Sequence, residues 1–335
     1  MTSRAGELFE AASVAASVLP VVWQRDGSIL RGLLDGQHGS YDVTIATHRA
    51  HVFVVRVVSQ APIPEQAAER VALLCMDATW TMPTAGFFYS PGSGGAVVSA
   101  ATLTFNHSDE VAHPTILRNT IRECMLNAEL FARVQQAVVE GSSIEEAREF
   151  RRRLFPALAA GELGGMPGYL AQAGPPPADD GQLIDACEAA ARKRGWQLQR
   201  RSRDQLVVQG ETFVDVHAGC LVVSSYPGVE VRPDRRGAVA DLLNRLLDAG
   251  SPFTLALDLE LGAVVARSFL DVRGLAQIPP AALLCDVIFQ AGGGARVHLD
   301  EIERVANERR AADRPFGSSG STLRDRLQAA RRDAA

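Results

Sequence analysis

Four residues with metal-binding side chains lie close together in the sequence, namely His107, Asp109, Glu110 and His113. Two imidazoles and two carboxylates at this spacing are a ligand set for a divalent cation. The same residues also suit a polar loop in front of a helix that begins at Pro114. The segment that corresponds to it in the internal repeat, residues 273–280, carries no such ligands. We therefore predict a solvated loop and no bound metal.

A second candidate site is a basic run around Trp196. Its cationic residues are Arg192, Lys193, Arg194, Arg200, Arg201 and Arg203. Clustered arginines bind phosphates and a tryptophan can stack on a base, so this run could bind nucleic acid. However, the chain has a net charge of -5, and Trp196 corresponds closely to Trp23, which has no comparable basic neighbours. We predict that Trp196 packs in a core, and we keep a nucleic-acid-associated regulator as the alternative function.

His48 and His51 flank a predicted turn between strands. Side chains three positions apart on a strand point to opposite faces of a sheet, which is poor geometry for holding one ligand. We predict that both imidazoles lie on the protein surface.

The sequence patterns of the commonest enzyme sites are absent. A phosphate-binding P-loop needs a lysine after a glycine, but the one lysine of the chain, Lys193, follows Arg192. There is no His-Glu-x-x-His and no Gly-x-Ser-x-Gly sequence. We predict a protein that is not an enzyme and has no cofactor; an enzyme of unrecognised type is a further alternative.

An internal repeat is the strongest pattern in the sequence. Gly95-Ala96-Val97-Val98 matches Gly262-Ala263-Val264-Val265 at a spacing of 167 residues. In the same register, apolar residues of the first copy correspond to apolar residues of the second. The first-copy residues are Leu103, Ile116, Leu117, Ile121 and Val138. Self-similarity over such a length indicates a duplicated structural unit. The chain is therefore predicted to contain two diverged copies of one domain, called here the first and the second copy.

The repeat and the composition together set the domain boundaries. We place the first copy at residues 1–140 and the second at residues 182–308. Residues 141–181 form a linker, helical at first and then rich in Pro and Gly, and residues 309–335 form a charged tail.

Each copy has the same predicted order: a helix, a run of strands, a middle helix, two strands, and one or two helices. In the second copy the middle helix follows Pro233 and its apolar residues recur at helical spacing. Alternating residues then predict a hairpin with strands at 253–259 and 263–272. Gly292-Gly293-Gly294 predicts a helix stop and hinge. The fold class is α+β, with an antiparallel sheet and flanking helices in each copy.

The middle helix of the first copy, residues 64–79, is apolar on two sides. Beside its main apolar stripe, Leu73, Met76 and Trp80 extend apolar character onto another face. A helix that is apolar on two faces must bury both of them. We predict that this second face is a homodimer or partner interface, and burial under the linker or the other copy is the alternative.

The second copy resembles the YbjN family. The resemblance rests on Leu-Leu-Asn-Arg-Leu at residues 242–246, a strand beginning at Phe253, a Gly turn, and a strand closing on Leu270-Asp271-Val272. It is weaker in the first copy, where Ala-Leu-Leu-Cys-Met stands at residues 72–76. The resemblance implies the α+β fold of type III secretion chaperones, dimerisation through the middle helix, and binding of partner-protein segments without catalysis, in bacterial stress regulation.

We thus expect a chaperone- or adaptor-like protein whose partner is another protein, acting as a homodimer or an intrachain pseudo-dimer. The five cysteines form no Cys-x-x-Cys pair and lie in apolar stretches, which is typical of buried thiols in a reducing compartment. No signal peptide and no membrane-spanning run is evident. We expect a cytoplasmic protein that does not enter a membrane.

Overall fold

Residues 4–48, 51–81, 85–105, 113–159 and 174–308 are described by the structure, a computed structural model of the chain. The first copy contains, in order, α1 (Arg4–Ser17), β1 (Val22–Asp26), β2 (Ile29–Asp35), β3 (Ser40–His48), β4 (Val52–Ser59), α2 (Glu65–Thr81), β5 (Gly86–Ser90), β6 (Ala96–Thr104) and α3 (Pro114–Val139), and the predicted linker begins with α4 (Ile144–Ala159).

The second copy repeats this order. Its elements are α5 (Asp180–Lys193), β7 (Leu198–Arg200), β8 (Gln205–Val208), β9 (Thr212–His217), β10 (Cys220–Ser225), a 3₁₀ turn (Pro233–Arg235), α6 (Arg236–Asp248), β11 (Thr254–Asp258), β12 (Ala263–Asp271), α7 (Ala281–Val297) and α8 (Leu299–Asn307). The middle helices of the two copies are therefore α2 and α6.

Both copies form a six-stranded antiparallel sheet with one topology. The strand order is β1-β2-β3-β4-β6-β5 in the first copy and β7-β8-β9-β10-β12-β11 in the second. In both sheets the hairpin that follows the middle helix pairs with the other strands through its second strand, β6 or β12. Its first strand, β5 or β11, therefore lies at the edge of the sheet. The predicted α+β fold with an antiparallel sheet and flanking helices in each copy is confirmed.

Residue alternation explains which face of each sheet is buried. In β4, Phe53, Val55 and Val57 are fully buried, whereas the residues between them are partly exposed. Successive side chains of a strand point to opposite faces, so one face packs on α1 and α3. The same sheet face in the second copy packs on α5 and α7.

The glycine triplet does not end a helix, so that prediction is wrong. Gly292, Gly293 and Gly294 lie inside α7, and the helix breaks at His298 instead. None of the three has a positive φ angle, so the backbone there stays helical. The corresponding helix of the first copy, α3, runs without a break for 26 residues.

The two copies pack together through their middle helices. Helix α2 contacts both α6 and β11 of the second copy, and α6 contacts β5 of the first copy. At these helices one apolar cluster joins residues from both copies, including Val71, Leu74 and Met76 with Val239 and Leu243. The contacts are reciprocal, as expected for two related domains arranged about a pseudo-twofold axis.

Asn244 of α6 is the main polar residue within this apolar interface. It is 2% exposed. Its side-chain carbonyl accepts a hydrogen bond from the backbone N–H of Tyr89, and its amide donates to the carbonyl of Ala72 at 3.1 Å. One side chain of the second copy thus binds both the middle helix and the edge strand of the first.

An arginine from each sheet reaches the end of the other copy's middle helix. Arg56 of β4 forms an ion pair with Asp248, the last residue of α6, at 3.3 Å. Arg267 of β12 donates to the backbone carbonyl of Thr79, near the end of α2, at 2.7 Å. A cation is favourable at a helix C-terminus because the helix dipole is negative there.

Helix α4 lies within the predicted linker, yet it packs against α2 and α3. Arg148 and Arg151 contact the buried carboxylate of Asp77 at 3.1 and 3.0 Å. Arg148 also contacts Glu260 of the second copy at 3.1 Å. Helix α4 is therefore tied to both copies by charged contacts.

We expect Asn244→Ala to lower the free energy of unfolding by about 1–3 kcal/mol, because a buried N–H loses its acceptor and two hydrogen bonds between the copies are lost. Urea denaturation followed by circular dichroism measures this change. Asn307→Ala, the same substitution at an exposed position, is the control, with an expected change below about 0.5 kcal/mol. Equal effects of the two substitutions would contradict the assigned role of Asn244.

All five cysteines should resist thiol reagents in the native protein. Each is buried as a free thiol, and burial raises the pKa of Cys187 to about 12 and raises the pKa of Cys285. A raised pKa keeps a thiol neutral at pH 8, and the thiolate is the reactive form. A disulfide reagent should therefore label no cysteine in native protein and five in denaturant. Rapid labelling of any native thiol would show that its surroundings open.

Candidate functional site

The second copy has an apolar groove between α7 and the strands β8 and β9. We call it the glycine groove, and its walls are Trp196, Val208, Ile288, Phe289, Gly292 and Gly293. Gln209, Glu211, Thr212 and Arg296 form its rim. The cavity has a volume of about 330 Å³, which lies within the range of pockets that bind small ligands or large side chains.

The groove exists because two glycines stand inside α7. A side chain at Gly292 or Gly293 would project towards Thr212 and Phe289, the nearest atoms lying 3.4 Å from an added Cβ. The corresponding residues of the first copy, at the repeat spacing of 167, are Met125 and Leu126. Met125 is fully buried in its core. The first copy thus fills a volume that the second copy leaves open.

Phe289 gives the groove an accessible aromatic wall. Its side chain is 49% exposed, whereas the corresponding first-copy residue, Arg122, is buried in an ionic network. A half-exposed aromatic beside a cavity is typical of a recognition surface. Sequence reasoning missed Phe289, Gly292 and Gly293 as site residues, although glycines inside an otherwise apolar helix were a usable signal.

One cationic side chain lines the groove, and another lies further along α7. Arg296 stands on the rim and forms an ion pair with Glu211. The guanidinium of Arg194 lies beside Cys285 of α7, one helical turn before Phe289. Cys285, Phe289 and Arg296 share one face of α7 because they follow its helical spacing. The neighbouring Lys193 is also exposed.

A second cavity, called here the inter-copy cleft, lies where the first sheet meets the loop between α6 and β11. Its volume is about 520 Å³. Among its lining residues are His48, His51, Val52, Val54, Arg56 and Phe88 of the first copy and Leu247 and Gly250 to Thr254 of the second. His48 and His51 thus face one cavity, contrary to the expectation of opposite faces. His51 lies in the turn that reverses the chain, so strand periodicity does not apply to the pair.

The predicted interface residues of α2 lie where the two copies meet. Met76 is fully buried in the shared apolar cluster, and Leu73 packs against that cluster while partly buried. The side chain of Trp80 lies outside the described part of the structure. The second copy therefore covers Met76 within this chain, and a homodimer formed by two chains stays a prediction.

Three of the six cationic residues of the predicted basic run form ion pairs with acidic residues of the same copy. Arg192 forms an ion pair with Glu188, and Arg203 forms one with Asp179 at 3.1 Å. Arg200 contacts Glu188 at 3.3 Å and also pairs with Asp185. Lys193, Arg194 and Arg201 are exposed.

Trp196, at the centre of this basic run, packs against the apolar core of its copy. The nucleic-acid alternative is untested: three arginines around Trp196 have an acidic partner, and Lys193, Arg194 and Arg201 are exposed.

Three residues of the predicted polar loop, His107, Asp109 and Glu110, lie outside the described residues. The fourth, His113, caps α3 by accepting a hydrogen bond from the backbone N–H of Thr115 at 3.2 Å. Across the described ranges, no group of three or more His, Cys, Asp or Glu side chains is arranged to hold a metal ion.

Comparison with known proteins finds no match to a family model, to a curated protein or to a solved structure. The resemblance to the YbjN family therefore stays a prediction from the residues quoted above. Among the helices that the structure describes, none is both long enough and apolar enough to cross a membrane.

The three glycines of α7 should respond differently to alanine. Gly292→Ala and Gly293→Ala should each stabilise the protein by about 0.5–1 kcal/mol, because alanine is the better helix former and the groove has room for a methyl group. Gly294→Ala should destabilise it, because the new Cβ would lie 2.6 Å from Cβ of Phe253. Thermal denaturation of the three variants checks this. If Gly292→Ala and Gly293→Ala both destabilise the protein, the glycines are required for packing, and the interpretation that they keep the groove open is wrong.

Proposed function

We propose that this chain is a non-enzymatic protein-binding module, chaperone- or adaptor-like, whose second copy holds an apolar segment of a partner protein in the glycine groove. The observation that carries the proposal is the replacement of Met125 and Leu126 by Gly292 and Gly293 in the second copy. Each glycine inside a helix costs about 0.5–1 kcal/mol relative to alanine. Destabilising residues that leave a cavity open are expected at binding sites.

The groove suits a short segment rather than a large flat surface. Its volume of about 330 Å³ accepts one or two large apolar side chains as anchors. Phe289 and Trp196 provide aromatic walls, which contribute large contact area with little loss of side-chain freedom. Arg194 and Lys193 are exposed and precede the wall residue Trp196 by two and three positions, which favours acidic residues next to the anchors of the partner segment.

The two copies then have different roles. The first copy has a filled core at the corresponding place and supplies the surface on which the second copy packs. The resemblance to the YbjN family supports a cytoplasmic protein that binds partner segments in a bacterial stress response. These assignments of location and pathway rest on that resemblance and on the sequence.

The proposal is tested by giving α7 the residues of the first copy. Twelve-residue peptides that bind the full chain are selected from a randomised library, and their Kd values are then measured on Gly292→Met/Gly293→Leu. We expect the selected peptides to carry large apolar residues flanked by Asp or Glu. The double variant should weaken their binding at least tenfold, because the added side chains occupy the groove.

Val18→Ala is the matched control, because Val18 is a 64% exposed apolar residue of the first copy, distant in sequence from the groove. It should leave the peptide Kd values unchanged. Circular dichroism and thermal denaturation establish that both variants are folded. The proposal fails if the selected peptides bind the folded double variant as tightly as they bind the original chain, or if no peptide binds with a Kd below 100 µM.

A further inference from the structure

The inter-copy cleft is a second cavity that the proposed function does not use. Its walls come from both copies: Val54 and Phe88 from the first sheet, and Leu247 and Phe253 from the second copy. With a volume of about 520 Å³ it is larger than the glycine groove. A cavity of this size, mostly apolar with a few polar groups, has the character of a small-molecule site.

Gln290 of α7 holds the two sides of this cleft together. Its side-chain amide donates to the carbonyl of Thr102 at 2.9 Å and to the carbonyl of Pro252 at 3.1 Å. Thr102 and Pro252 both line the cleft, one in each copy. Gln290 is 2% exposed, so these hydrogen bonds form in a water-poor setting and fix the spacing of the walls.

Several side chains of the cleft carry N–H donors. His48, His51 and Arg56 line it together. Arg56 is paired with Asp248 and lies over the ring of Phe88 at 5.2 Å, so its charge is partly offset while its side chain stays 31% exposed. An imidazole carries at least one N–H donor in either protonation state. This set favours an acceptor group with a single negative charge over a multiply charged one.

We propose that the inter-copy cleft binds an amphipathic organic monoanion, a carboxylate on an aliphatic or aromatic body. The apolar body lies against Val54, Phe88 and Phe253, and the carboxylate accepts hydrogen bonds from His48 and His51 with support from Arg56. Because the walls belong to both copies, such a ligand stabilises their packing.

Octanoate is the probe, and octanamide, which has the same chain and no charge, is its matched control. Calorimetric titration of the full chain should show octanoate binding about tenfold more tightly than octanamide, since hydrogen bonds to a charged group are stronger. Octanoate should also raise the Tm, as any ligand of the folded state does.

Two variants locate the site, and a third separates this inference from the proposed function. Val54→Phe, which fills the cleft, should weaken octanoate binding at least tenfold. His48→Gln/His51→Gln should reduce the preference for octanoate over octanamide to less than threefold while leaving octanamide binding unchanged. Gly292→Met/Gly293→Leu should leave octanoate binding unchanged, so that failure of this inference is distinguishable from failure of the proposed function.

The inference is overturned by any of three results with folded protein. The first is equal affinity for octanoate and octanamide, and the second is octanoate binding by Val54→Phe that is as tight as binding by the original chain. The third is no octanoate binding up to 10 mM, since a Kd of about 10 mM is the weakest that a specific pocket of this kind would show. If His48→Gln/His51→Gln keeps the full preference for octanoate, the assigned head-group contacts are wrong.

Discussion

Helix α2 has apolar side chains on two faces, and both faces are covered, one by its own hairpin strand β5 and the other by α6 and β11 of the second copy. Helix α6 is covered in the same way, because it packs against α2 and β5 of the first copy. Burial of these faces removes apolar surface from water, the main favourable term in folding. Separation of the copies would expose residues such as Met76 and Leu243, which are fully buried together. This shared core holds the two copies together at their middle helices, while a separate apolar cluster packs α1, α3, α5 and α7 on the sheets.

Apolar burial alone does not fix how two related domains are oriented, and the polar residues at the interface supply that specificity. Arg56 reaches the end of α6 while Arg267 reaches the end of α2, so each sheet recognises the C-terminus of the other copy's middle helix. Asn244 adds a bond to the edge strand β5. A shift of α6 by one turn along α2 would break the hydrogen bonds that the buried Arg267 and Asn244 make here, at a cost of about 1–3 kcal/mol for each, and would also separate the partly exposed pair of Arg56 and Asp248.

The sequence allowed the elements of the fold to be predicted better than the sites. Alternation predicts hairpin strands at 253–259 and 263–272, close to the observed β11 and β12, and the two apolar faces of α2 predict that it is covered on both sides. The glycine triplet was misinterpreted because glycine lowers local helix propensity, whereas the packing of α7 against the rest of the copy keeps residues 292–294 helical. The inter-copy cleft could not be predicted, because its walls are separated by about 150–200 residues along the chain.

Helix α7 lines the glycine groove with one face and contacts lining residues of the inter-copy cleft with another. Phe289, Gly292 and Gly293 line the glycine groove, whereas Gln290 holds the walls of the inter-copy cleft. Gly294, on the cleft side, lies directly against Phe253, a lining residue. A rotation or translation of α7 would therefore break the hydrogen bonds of Gln290 and press Gly294 on Phe253. Because packed interiors resist such displacements, α7 is held in place, and a side chain that enters the groove occupies its open volume without changing the walls of the cleft.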